Sequence, residues 1–177
     1  MPFGQPRKLD AAELREYALK LLAGRSLSVG DLKEKLRRRA IDPQSIDAIV
    51  DQLKDCGVLN DSRFAEYYSS ARADSGSYGS QRVISDLLKR KVAPKVAQKA
   101  VQDAFQGTNE QEMVAHWLER KYRNQNLAEL LQNPAKLASV YRRLRQAGFS
   151  AGPAISVLKR FAAEAEQLEG LEDSDAS

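Results

Sequence analysis

Ser28-Val29-Gly30-Asp31-Leu32-Lys33-Glu34-Lys35-Leu36-Arg37-Arg38-Arg39-Ala40-Ile41-Asp42-Pro43 opens on a residue type that caps helices. It continues with leucines four apart and closes on a run of arginines. Beyond Pro43, the apolar positions Ile46, Ile49, Val50 and Leu53 resume the helical period. A shift of 51 positions lays Ser28 on Gly79, Leu32 on Val83, Leu36 on Leu87, Ile41 on Val92, Pro43 on Pro94 and Val50 on Val101. A second shift, of 57, carries the apolar members to Val140, Leu144, Phe149 and Leu158, with Pro153 slightly out of step. A helix that precedes each copy repeats as well: Leu14, Phe64 and Val114 align, followed by Ala18, Tyr68 and Leu118. Apolar periodicity alone could coincide. Its agreement with a helix-starting proline in the first two copies marks an internal repeat.

The pattern predicts an all-α protein: three tandem three-helix repeats stacked into an elongated, curved body. The expected boundaries are a flexible N-terminus at 1–9, repeats at 10–57, 58–106 and 107–165, and an acidic disordered tail at 166–177. About nine helices follow from the start signals at Ser28, Asp42-Pro43, Ala93-Pro94, a Thr108-x-x-Gln111 capping box and Asn133-Pro134. Gly24, Gly57, Gly107 and Gly148 are placed to end helices. The polar stretch from Asn124 to Asn133 lengthens the third repeat.

Composition removes most catalytic plans. Of 177 residues, one is cysteine (Cys56) and one is histidine (His116), so no disulfide, cysteine zinc site or histidine pair can form within the chain. His116 has Glu112 one helical turn earlier, an arrangement met more often as a surface contact than as catalysis. Neither a nucleotide-binding glycine loop nor a calcium loop is present, and no enzyme activity, metal or other cofactor is expected. The N-terminal residues lack the apolar core of a signal peptide and no apolar run could span a bilayer, so a cytoplasmic location is expected.

Charge is the positive signal. The net +4 hides six acids and no base from Glu164 onward, which leaves 28 bases against 18 acids, a net +10, in the rest. The second helix of each repeat ends in cations: Lys35, Arg37, Arg38 and Arg39; then Lys89, Arg90 and Lys91; then Arg142, Arg143 and Arg145. The helix dipole favours one or two such charges but does not call for three or four in every copy. A stripe for phosphates or carboxylates is the functional expectation, with base stacking a minor mode because no aromatics interleave the cations. A helix-turn-helix transcriptional regulator is the rival reading, with Leu32 to Arg39 as its recognition helix. The absence of Asn, Gln and Ser from its exposed positions weakens it, because Lys and Arg more often hold phosphate than read bases.

The sequence resembles the RecX family of bacterial regulatory proteins. The likeness runs from about residue 11 to 163 and rests on Ala18-x-x-Leu21-Leu22, Ser28-x-x-Asp31-Leu32-x-x-Lys35-Leu36 and Gly57-Val58-Leu59-Asn60-Asp61-x-x-Phe64-Ala65. It continues in Arg72-x-x-x-Gly76-x-Tyr78-Gly79-x-x-Arg82-Val83-x-x-x-Leu87-x-x-Arg90-Lys91-Val92. Val58, Asn60 and Ser80 stand where the family usually has Tyr, Asp and Pro. The resemblance implies a monomeric regulator of recombination and the SOS response that lies in the groove of the RecA filament on single-stranded DNA. It would inhibit strand exchange, ATP hydrolysis and the co-protease activity, with weak, non-specific affinity for single-stranded DNA itself. The residues expected to contact RecA or DNA are Arg37, Arg38, Arg72, Tyr78, Arg82, Lys89, Arg90, Arg142, Arg143 and Arg145.

Overall fold

Several helix starts in this chain are set by short polar side chains that satisfy otherwise unpaired backbone N–H groups. In the computed structural model, which describes residues 7–162 and Ala165, ten helices form and no strand is present among those residues. They are α1 (Ala11–Gly24), α2 (Val29–Arg37), α3 (Ser45–Asp55), α4 (Asp61–Ser75), α5 (Ser80–Lys89), α6 (Pro94–Phe105), α7 (Glu110–Tyr122), α8 (Leu127–Leu131), α9 (Pro134–Gln146) and α10 (Ala151–Leu158). The helices follow one another as three trios, and α8 is an addition within the third.

Several starts lie where the sequence puts them. Ser28 Oγ accepts from the Asp31 N–H to cap α2, Pro94 opens α6, and Asn133 caps α9 just ahead of Pro134. The start of α7 differs. Asn109, not Thr108, accepts from the Gln111 and Glu112 N–H groups, while the Thr108 hydroxyl donates to the Phe105 carbonyl at the end of α6. Thr108 is thus taken up by the preceding helix, and the next residue caps the following one. Asp10 forms a full capping box with Glu13 at α1 that the sequence reading did not single out. Leu9, in the stretch expected to be flexible, is 8% exposed, donates to the Arg39 carbonyl and accepts from the Ile41 N–H. The acidic tail expected at 166–177 lies outside the described residues.

The described residues form two compact units: one of those up to residue 68 together with 86–100, the other of 69–85 together with those from 101 onward. In the first, α1 packs on α2 and α3. The apolar stripes predicted for these helices meet there, with Leu14, Ala18, Leu32, Leu36 and Val50 fully buried. In the second, α10 packs on α7 and α9, and α8 on α9. Leu118, Leu131, Leu144, Phe149 and Leu158 are at or near complete burial. Removing each such side chain from water is worth about 1.5–3 kcal/mol. The polar stretch that lengthens the third repeat therefore contains a helical turn, α8, whose Leu131 belongs to the core.

Glycines set the closest approaches. Within the first unit the N-terminus of α2 meets the C-terminal end of α5, where Ser28 Oγ donates to the Arg90 carbonyl at 2.7 Å. A Cβ on Gly30 would lie 2.6 Å from that carbonyl oxygen, so only hydrogen fits. Within the second unit the N-terminus of α5 meets the end of α9 in the same manner. Gly79 N–H donates to the Ala147 carbonyl at 2.9 Å and Gln81 N–H to that of Gly148 at 3.3 Å.

Candidate functional site

The cationic helix ends hold two kinds of residue: side chains spent on the fold and side chains presented to solvent. In the first unit, Arg37 and Arg38 are exposed at the end of α2, and Arg38 pairs with Glu34 one turn back. Arg39 lies over the Tyr17 ring at 4.8 Å, and Lys33 holds Asp47 at 2.6 Å. That hydrogen bond and the adjacent ammonium charge keep the Asp47 carboxyl below its usual range. Lys89 and Lys91 are exposed.

Arg90 differs from its neighbours. Its Nη1 donates to Asp31 Oδ2 at 2.7 Å, and its guanidinium lies 5.3 Å from the Tyr68 ring centroid and 5.9 Å from that of Phe64. Burial disfavours the charge, but the hydrogen bond and charge of Asp31 outweigh it and raise the Arg90 pKa. Arg90 therefore clasps the end of α5 to the start of α2. It is half-buried rather than part of an open surface.

In the second unit, Arg142 is exposed on α9, and Arg143, also exposed, donates to the Tyr122 hydroxyl at 3.2 Å. Arg145 is half-buried and donates to the Phe149 carbonyl, which ties the last turn of α9 to the segment after it. Arg82 is exposed on the first turn of α5, while Arg72 lies over the Tyr78 ring at 5.1 Å and both are half-buried. The structure thus brings Arg72 and Tyr78 together and gives Arg90 and Arg145 packing duties.

Sequence reasoning passed over three residues of α7: Trp117, Arg120 and Lys121. Arg120 donates to the carbonyls of Ser75 and Gly76, each at 3.0 Å, and so fixes the loop that carries Tyr78. The spacing of Trp117, Arg120 and Lys121 places them on one helical face, which was the available signal. His116 is exposed beside an open depression of about 380 Å3 that Asp74, Glu119 and Arg120 also line. Among the described residues, no three His, Cys, Asp or Glu side chains converge as metal ligands, and no helix is long and apolar enough to cross a membrane.

Three helical trios, with close glycine-mediated junctions and cation-tipped second helices, define a helical repeat protein. A sequence profile described as "RecX, first three-helix domain" matches residues 15–53. The regulatory protein RecX of Pseudomonas syringae pv. tomato is 35% identical over 118 residues, 66% of this chain and 74% of that protein. That of Halorhodospira halophila is 35% identical over 91 residues, 51% of this chain and 56% of the relative. The chain belongs to the RecX family of regulatory proteins. Two crystal structures share its fold. RecX from Lactobacillus salivarius has a TM-score of 0.61 at 20% identity, covering 85% of this chain and 96% of that one. A second regulatory protein RecX has a TM-score of 0.64 at 18% identity, covering 83% and 72%.

Proposed function

We propose that this protein regulates homologous recombination and the SOS response by binding the helical filament that RecA forms on single-stranded DNA. In this reading it acts in the cytoplasm as a monomer without catalysis of its own, and it inhibits strand exchange, ATP hydrolysis and co-protease activity. Family membership supports the choice of partner. The observation that carries the mode of binding is the set of exposed cations at helix ends in both units, Arg37, Arg38 and Lys89 in one and Arg142 and Arg143 in the other. A filament repeats its surface along its axis, so several weak contacts from one chain add as avidity without any one being tight.

A titration of this protein into RecA, ATP and single-stranded DNA tests the reading, with a progressive fall in the rate of ATP hydrolysis expected. An unchanged rate up to a large molar excess would overturn it. Joint reversal of Arg37, Arg38, Lys89 and Arg142 to Glu should weaken filament binding at least tenfold with helical content intact, because all four are exposed. Arg90 is left out of that set because its loss would disturb the clasp on α2. A preferred duplex sequence, found by selection from random DNA, would instead favour the helix-turn-helix regulator.

A further inference from the structure

Trp117 and Tyr78 line an open depression of about 430 Å3 in the second unit, together with Ser77, Arg120, Lys121 and Ala147. Both aromatic side chains are half-buried and held from behind. The Trp117 ring meets Tyr122 and Phe149 edge to face, with centroids 6.4 Å away in each case, and Arg72 steadies the Tyr78 ring. The Arg120 fork is committed to the Ser75 and Gly76 carbonyls, so its charge sits at the rim in a fixed place. Lys121 is exposed and has no ion-pair partner among the described residues. No carboxylate is among the residues that line the depression.

Preset aromatic faces beside cations, with no acid to oppose them, match the two parts of a nucleotide. A base supplies a π-face for stacking and its phosphate supplies the anion. An acidic peptide would meet the cations but leave both rings unused, whereas an apolar peptide would leave the charges unmatched. We propose that this depression is a subsite for an unpaired nucleobase and its adjoining phosphate from single-stranded nucleic acid, with Trp117 and Tyr78 as stacking walls and Lys121 as the phosphate contact. The proposal deepens the reading above and rests on it for the class of ligand. It also gives base stacking a larger part than the sequence suggested.

Trp117 is the chain's single tryptophan, so its emission reports on this depression alone. The full chain is titrated with a twenty-nucleotide oligothymidylate in the absence of RecA. Saturable quenching is expected, and an abasic oligonucleotide of the same length should bind roughly tenfold more weakly and leave the emission unchanged. Lys121→Glu and Tyr78→Leu should each weaken oligothymidylate binding about tenfold, read by anisotropy of a labelled oligonucleotide, with unchanged helical content. Absence of quenching, equal quenching by the abasic strand or by polyglutamate, or wild-type binding by both variants would overturn the subsite. Quenching that persists while RecA hydrolysis is unaffected supports the subsite and sinks only the filament reading. Inhibition of RecA without any quenching sinks the subsite alone.

Discussion

A methyl group on Gly79 would lie 2.1 Å from the Gly148 carbonyl oxygen and 2.5 Å from the Phe149 nitrogen. Those are backbone atoms, which cannot swing aside as a side chain can. Gly79→Ala is therefore expected to destabilise the protein by about 3 kcal/mol in urea denaturation. Gly24→Ala, at the end of α1 with nothing within 4 Å, should change stability by less than about 0.5 kcal/mol. Asp61 tests a different principle. Its Oδ1 accepts from the Val29 N–H at 2.8 Å, and burial pushes the carboxyl above its usual 3.8 despite that bond. A raised acid pKa in the folded state means that the neutral form is favoured there. The stabilisation is complete below the unfolded pKa and declines as pH rises through the folded one. Asp61→Asn keeps an acceptor for Val29 and should remove that decline, visible as a flatter stability profile than wild type from pH 3 to 6. Asp61→Ala should cost about 1–2 kcal/mol at neutral pH, because it strands the Val29 donor.

At the scale of elements, the C-terminal end of α5 does for α2 what a capping loop does elsewhere. Ser28, Gly30 and Asp31 all contact it, and Arg90 is its principal side chain. Because the Arg90 and Asp31 side chains are 39% and 22% exposed, solvent screening holds the ion pair to on the order of 1 kcal/mol. Arg90→Ala should cost about 2 kcal/mol, since it also removes the packing on Phe64 and Tyr68, and it should speed amide exchange in the first turn of α2. Arg90→Lys keeps charge for Asp31 but has no planar group for the rings, so an intermediate loss is expected. Much of this was legible beforehand: the repeat, the Ser28 cap, the Pro94 and Asn133-Pro134 starts and the core stripes all follow from local pattern. What escaped depends on atoms distant in sequence. Arg90 and Arg37 look alike in their helices, and only the presence of Asp31 opposite one of them gives it a structural task. Trp117 reads as one more apolar residue until Tyr78 is found lining the same depression. Thr108 and Asn109 are both competent caps, and the carbonyl of Phe105 determines which is occupied.

Over the whole molecule, charge is divided unevenly along the chain. The six acids from Glu164 onward offset a +10 balance in the rest, so the net +4 understates the attraction the body exerts on polyanions. Deleting residues 164–177 should raise affinity for single-stranded DNA at 50 mM salt severalfold, with the gain shrinking as salt increases. Equal affinity for both forms at low salt would exclude the acidic segment as a screen. Fluorescence anisotropy with a labelled oligonucleotide makes the measurement.

The boundary between the two compact units falls inside the middle trio, so that α4, α5 and α6 each contribute residues to both. Sequence periodicity has its natural seams at Gly57 and Gly107, whereas the limits of the compact units fall after residues 68, 85 and 100. Severing the polypeptide at those glycines would leave each compact unit without some of its own residues. A protease acting on the intact protein would consequently release no stable single-trio fragment.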